Sequence, residues 1–324
     1  MTTIALAIRA AVDAAIRAPS PHNTQPWWFE VSGDRIAVFL DRGRVLAVAD
    51  PDAREARLSC GAAVLNMRLA LRAAGYTSEA ELFPDRGRPD HLAVVRITGP
   101  HPEAPADRAL ARAIRYRRSN RRSFTDRPIP VRARQALVQA AGAEGAQLVV
   151  VEQPGDLDAV TALLRRAEHI QSADAAFQAE LREWTVADSV RDDGVPVDAG
   201  GPRPAQGSML TPRHYAAGRS SSERPYERDP MIAVVSSYTD TPLAHLRTGQ
   251  AMQRVLLIAT AAGLSVSFLS PPVEVPATRQ TLRGLLGGNS YPQTVLHFVY
   301  GFAAPATRRR PADTVIRTRQ EIAS

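Results

Sequence analysis

Helical and strand patterns alternate along the chain, so the sequence predicts a mixed fold, α/β or α+β, around a packed core. Three observations carry that prediction. Hydrophobic residues make up 44% of the 324 positions and charged residues 23%, the balance of a globular protein rather than a disordered one. A Pro- and Ala-rich stretch at 99–107 (GPHPEAPAD) reads as a linker and divides the chain into 1–107 and 108–324. A weak repeat links the two parts: GAAVLNMRLALRAAG (Gly61–Gly75) and GQAMQRVLLIATAAG (Gly249–Gly263) match at six of fifteen positions and carry Gly at both ends.

The elements follow in order. Ile4, Leu6, Ile8, Val12 and Ile16 mark a helix over 4–17, ended by Pro19. Apolar runs at 28–31 and 36–40 flank Ser32-Gly33-Asp34, a hairpin signal. A long helix over 53–74 stops at Gly75, and strands follow near 79–83 and 92–97. Beyond the linker the pattern predicts helices at 108–116, 131–141, 156–170 and 173–184, with a strand at 147–151. Residues 188–230 are rich in Gly, Pro, Ser and charge, lack periodicity, and are long enough to read as a lid candidate. A strand (231–237), helix (243–262), strand (265–269), helix (276–287) and strand (293–299) complete the chain before an Arg-rich tail.

Composition excludes several chemistries. All 40 basic residues are Arg, so no lysine is present for a Schiff base, pyridoxal phosphate or a Walker A loop. A single Cys60 excludes an intrachain disulfide and a Cys-cluster metal site, and fits a reducing, cytoplasmic setting. The seven His residues are scattered without metal-ligand spacing, so no metal site is expected. The net charge of +7 comes from Arg interspersed with 33 acidic groups, which argues against nucleic acid as a partner. The longest apolar run, 255–269, is too short to span a bilayer, so no membrane partner is expected.

Three segments carry candidate chemistry. Pro19–Trp27 (PSPHNTQPW) combines three prolines with short polar side chains, which gives a rigid hydrogen-bonding loop at a helix end. Taken alone, it also reads as a plain turn between helix and hairpin. The run 117–124 (RRSNRRSF) places Arg118, Asn120 and Arg122 at i, i+2, i+4, on one side of an extended segment, with Phe124 as an anchor. Guanidinium groups around a hydrogen-bonding side chain can clamp a phosphate; a solvated basic run is the alternative. Arg308-Arg309-Arg310 alone is a terminal basic cluster.

Together these segments resemble the FMN-dependent nitroreductase family, and within it the single-chain Acg-type subgroup of actinobacteria. The family carries an R-x-S-x-R/K-x-F element, a P-S-x-x-N-x-Q-P-W element, a Glu-containing turn after a late strand and basic residues near the C-terminus. Here these are Arg118/Asn120/Arg122/Phe124, Pro19–Trp27, Pro272–Pro276 and Arg308–Arg310. Asn120 stands where the family usually has Ser, and Val275 where many members have Gly.

The family order is reversed here, because the PS…QPW loop comes about a hundred residues before the arginine element. Fusion of two halves explains this. The resemblance implies an α+β nitroreductase-like fold of two similar halves, in which one chain mimics the family's dimer and forms one FMN site. It implies that Arg118, Asn120 and Arg122, assisted by Arg308 and Arg310, meet the phosphate. Pro19, Ser20, Pro21, Asn23 and Gln25 would meet the ring or ribityl chain, and the backbone at Glu274 and Val275 would face the flavin edge. No catalytic side chain is required, since the cofactor carries the chemistry. NAD(P)H would reduce the flavin and an electron-poor small molecule would follow by ping-pong hydride transfer. A protein that sequesters FMN beneath the lid with little turnover is the alternative. The chain would be a monomer with an internal pseudo-dimer, open to further dimerisation.

Overall fold

The structure is a computed structural model that describes residues 3–102, 104–120, 124–125, 127–186, 191–197, 230–301 and 306–317. Most of the lid candidate 188–230, and Arg122 of the arginine element, therefore lie outside the described residues.

The first part runs α1 (Thr3–Ala15), β1 (Trp27–Ser32), β2 (Arg35–Leu40), α2 (Arg54–Ala73), β3 (Tyr76–Leu82) and β4 (His91–Pro100). Its four strands form an antiparallel sheet in the order β1-β2-β4-β3. Helix α2 starts where the Asp50 carboxylate accepts the backbone N–H groups of Glu55 (2.9 Å) and Ala56 (2.8 Å), a partner for amides that have none within the helix. It stops at Gly75, whose φ of +87° suits a residue without Cβ. The predicted linker is short: β4 continues to Pro100, and α3 (Pro105–Tyr116) begins with Pro in its first turn, where the missing N–H is harmless.

The second part runs β5 (Phe124–Thr125), α4 (Val131–Gly142), β6 (Gln147–Val151), α5 (Pro154–Ala173), α6 (Ala175–Glu183), β7 (Thr185–Val186), β8 (Val195–Pro196), β9 (Met231–Ser237) and α7 (Pro242–Ala261). It ends with β10 (Ser265–Phe268), α8 (Pro271–Glu274), α9 (Pro276–Leu285), β11 (Tyr291–Gly301) and α10 (Ala312–Val315). Its main sheet has the order β6-β9-β11-β10, again antiparallel throughout, with β5 added to β11.

The two sheets share one topology. Replacing β1, β2, β3 and β4 by β6, β9, β10 and β11 converts the first order into the second, and α2 and α7 fill the same slot between the second and third strands. Even the bulges match. Leu92 is the extra residue where β4 meets β2, and Gln293 is the extra residue where β11 meets β9. The repeat seen in the sequence is thus a structural repeat, and the chain is a fused pair of like α+β units.

The halves meet through α2 and α7, which cross with Gly61 and Gly249 at the contact. One apolar core runs continuously through both, from Val12, Phe29 and Met67 to Val255, Leu296 and Phe298. The second sheet is covered on its other face as well, by α5, α8 and α9, whose Leu164, Val273 and Leu282 join Val234 of the sheet in a second apolar cluster. This explains its continuous apolar strand: every residue of β9 is buried, whereas β2 keeps exposed and half-buried positions. The outer face of the first sheet instead carries a cross-strand ladder, with Trp28 stacked on Phe39 at 3.9 Å and Phe39 on His91 at 4.4 Å. The segment after α10 returns to that sheet, where Ile316 bridges Phe29 beside the edge strand β1. Among the described residues no helix is long and apolar enough to cross a membrane.

Candidate functional site

A cavity lies where the two halves meet, with about 1390 Å³ of non-atom space when the open solvent at its mouth is included. Its walls come from both halves. The first supplies Pro19, Ser20, Pro21, His22 and Asn23 from the loop and Glu55, Leu58 and Ser59 from α2. The second supplies Met252 from α7, Phe268 and Ser270 at the end of β10, and Gln293 and Thr294 at the β11 bulge.

The loop after α1 is wound unusually. His22 (φ 47°), Asn23 (φ 59°) and Gln25 (φ 53°) all occupy the left-handed region, in a stretch without glycine. Each such residue costs about 1 kcal/mol or more, so the surroundings must fix it. They do so through Asn23 N–H to Ser20 O (3.1 Å), Thr24 N–H to Pro21 O (2.9 Å) and Gln25 N–H to Ser20 Oγ (3.0 Å). Arg44 reaches back from its own short turn to bond Thr24 O at 2.8 Å.

One end of the cavity is basic. Arg17, Arg117, Arg118 and Arg309 line it. Arg117 is 4% exposed, and its Nε and Nη1 have no hydrogen-bond partner among the described residues, while Nη2 donates to Arg17 O at 3.3 Å. Arg118 and Arg309 donate to backbone carbonyls of Arg115, Arg117 and Thr307. No carboxylate among the described residues pairs with any of the four. Burial, then Arg118, pushes the Arg117 guanidinium down to about 10. Burial, then Arg117, Arg118 and Arg17, pushes Arg309 down to about 9. Four guanidiniums held together with no paired carboxylate among the described residues make a site suited to an anion.

Another part of the lining is polar and braced. Arg54 donates from Nη1 to Gln293 O (2.6 Å) and from Nη2 to Glu55 Oε1 (2.8 Å) and Val273 O (3.2 Å). Gln293 Nε2 in turn donates to Ser237 Oγ (2.8 Å) and Asp240 Oδ1 (2.9 Å). Gln293 is the extra residue of the β11 bulge and lies on the cavity wall. Leu58, Ile114, Val195, Met252 and Phe268 give the cavity apolar walls.

The predicted site residues fall into two groups. Pro19, Ser20, Pro21, Asn23 and Arg118 line the cavity. Gln25, Asn120, Glu274, Val275, Arg308 and Arg310 are not on its walls. Gln25 is fully buried beneath the loop. Asn120 is 1% exposed, and its backbone N–H bonds Val266 O at 2.8 Å. The predicted turn at Glu274 is the short helix α8, so the Glu274 and Val275 N–H groups bond to Ser270 O and Pro271 O, both at 3.2 Å. Gln171 Nε2 donates to Glu274 Oε2 at 2.6 Å. Sequence reasoning missed Arg17, Arg117, Ser119, Arg309, Glu55 and Gln293. Arg117, Arg118 and Ser119 all border the cavity, so the segment departs from the strict i, i+2, i+4 alternation of an extended run, and Asn120 is held to Val266 through its backbone. Among the described residues no group of three or more His, Cys, Asp or Glu side chains is placed to hold a metal ion.

Comparison with known proteins places this geometry. No protein-family model matches the chain. It is 34% identical to a Mycobacterium tuberculosis protein provisionally named NAD(P)H nitroreductase Rv3131, over 97% of this chain and 92% of that one. It is 32% identical to the provisionally named NAD(P)H nitroreductase acg of the same organism, over 96% of each chain. A solved Bacteroides fragilis nitroreductase with bound FMN overlaps 62% of this chain and 93% of its own, at 16% identity and a TM-score of 0.38. The chain belongs to the nitroreductase family, in the branch of these Acg-like relatives.

Proposed function

We propose that the chain is an FMN-dependent oxidoreductase of the nitroreductase type, with one cofactor site per chain in the cavity between its halves. The observation that carries this reading is the basic end, where the Nε and Nη1 of a buried Arg117 have no acceptor among the described residues, beside Arg17, Arg118 and Arg309. The residues fit the cofactor. A phosphate monoester supplies the acceptors that these guanidiniums lack. The apolar walls from Leu58 to Phe268 suit a planar ring, and Asn23 Oδ1, which has no partner among the described residues, borders the same space.

When bound, FMN supplies hydride chemistry, accepting reducing equivalents from NAD(P)H and passing them to an electron-poor small molecule. The chain's own residues bind and orient. The arginine end neutralises the phosphate, with Arg122 of the same run assigned there by the family resemblance. Ser20, Pro21 and Asn23 border the ring from the first half. Leu58, Ile114 and Val195 keep water from the centre. Donor and acceptor share one cavity, so they visit in turn. Residues 1–107 contribute the loop and 108–324 the arginine end, so the fused chain serves as its own pseudo-dimer. The one buried thiol and the nicotinamide donor fit a cytoplasmic setting.

A second reading is cofactor sequestration. Val195 belongs to a strap that lies against the loop and is 1% exposed in the cavity wall. Such a cover favours retention over exchange. The test is an absorbance spectrum of the purified protein followed by NADPH addition without oxygen. A stoichiometric flavin band that bleaches quickly supports the enzyme. A band that yields only to dithionite supports sequestration. No flavin, and none taken up from added FMN, overturns both.

A further inference from the structure

Three segments distant in sequence meet at two side chains of the loop. Asn23 Nδ2 donates to Gly194 O (3.0 Å) and to Arg308 O (3.1 Å). Gln25 Nε2 donates to Asp192 O (2.7 Å), and Gln25 Oε1 accepts the backbone N–H of Arg310 (2.8 Å). The loop is thus laced on one side to the strap 192–194 and on the other to the segment 308–310. The two bonds on the second side have a specific consequence. Arg308 O and Arg310 N–H belong to the two peptide units that flank the Arg309 Cα. Clamping both fixes the backbone on each side of one residue, and that residue is the one whose guanidinium enters the basic end of the cavity.

We infer that Gln25, with Asn23, is a positioning residue that aims Arg309 into the anion-binding end, and does not itself touch the cofactor. Gln25 is fully buried and absent from the cavity wall, so its motif position is explained by what it holds. The same two amides tie down the strap, so the basic end and the cover over the cavity are set by one loop. Arg308 and Arg310 act through their backbones in this arrangement, and their side chains point elsewhere, to Asp192 and to Thr314 O.

The second half of this inference rests on the proposed flavin reading, and the test separates the two. In cofactor-free protein, Gln25→Ala speeds amide exchange at Arg310, while Gln25→Glu, which keeps an acceptor for that N–H, does not. Unchanged exchange at Arg310 in Gln25→Ala overturns the clamp whether or not flavin binds. With flavin, Gln25→Ala weakens FMN by about tenfold and leaves riboflavin, which lacks the phosphate, nearly unchanged. Adding Gln25→Ala to Arg309→Ala then causes little further loss, because the aimed group is already gone. Equal loss of FMN and riboflavin overturns the positioning role and returns Gln25 to the ring. Where Gln25→Ala fails to fold, Asn23→Asp replaces it. That variant loses the donor to Arg308 O, and its FMN-to-riboflavin ratio falls in the same direction or the inference fails.

Discussion

Gly61 of α2 and Gly249 of α7 pack against each other's helices in a reciprocal way. A Cβ on Gly61 would lie 2.1 Å from Leu246 O, and a Cβ on Gly249 would lie 2.0 Å from Leu58 O. Each glycine faces the carbonyl three residues before the other, which is the signature of a two-fold axis passing between them. A single chain has reproduced an interface that two identical subunits would form.

Gly61→Ala and Gly249→Ala therefore have the opposite sign to helix propensity. Alanine normally gains about 1 kcal/mol over glycine inside a helix. Here backbone meets the new methyl, and the helices must separate. Each variant is expected to lose about 3 kcal/mol, and the double variant less than the sum, since one separation relieves both clashes. Denaturant midpoints check this, and a stabilised single variant would contradict the packing.

Arg117→Met is expected to stabilise the cofactor-free protein by about 1–2 kcal/mol and to weaken FMN binding at the same time, because a buried cation without a partner is costly until an anion arrives. The pH dependence has a defined sign. The folded-state value of Arg117 lies near 10, below its ordinary range, so the folded chain binds fewer protons between the two. The penalty is complete below about 10 and shrinks as pH rises past it. Thermal midpoints of parent and variant should converge above that pH.

Asp240 governs the acid side. Burial alone would raise its carboxyl, but donors from His245 (2.9 Å), Arg279 (2.8 Å) and Gln293 (2.9 Å) hold it well below the usual carboxylate range. Its contribution is present above the unfolded value near 3.8 and is lost as pH falls toward the lower folded value. Asp240→Asn should cost about 2 kcal/mol at neutral pH, with the difference from the parent closing below about pH 3. A gap that persists at low pH would mean that the carboxylate is not the relevant group.

Gly194→Ala tests the strap. Gly194 has φ +75°, and an added Cβ would meet Val186 Cγ2 at 2.4 Å and Trp184 O at 3.1 Å. The substitution should loosen the strap, cost about 1 kcal/mol of global stability and speed FMN dissociation severalfold in stopped-flow fluorescence. An unchanged off-rate would remove the strap from control of access.

Much of the fold was legible because periodicity and punctuation agreed. Strands 147–151 and 231–237 are found with the predicted bounds, and α2 and α7 end at the expected glycines. Strand β3 begins earlier than predicted, at Tyr76, since Thr77 and Ser78 are polar positions on a half-exposed strand and leave no apolar signal. The turn at Glu274 could not be told from a short helix, because prolines at 271, 272 and 276 suit either. At the site, the loop and the arginine run were legible as motifs. The roles within them were less so. Arg117 and Arg118 both border the cavity while Asn120 does not, which strict alternation along an extended run does not foresee, and the task of Gln25 depends on segments 167 and 285 residues away.

The crossing of α2 and α7 also bears on how such a molecule can change. In a symmetric dimer every substitution appears twice, so a residue improved for one site alters its mirror image as well. Covalent fusion removes that constraint. Counting from the two central glycines, Leu58 corresponds to Leu246, and the pair at the axis is the same in both helices. Glu55 and Ser59, which wall the cavity, correspond to Leu243 and Arg247. The residue at the axis is the same in both helices while the positions around it differ, so one half can carry the wall of a ligand site that the other half has no need to repeat.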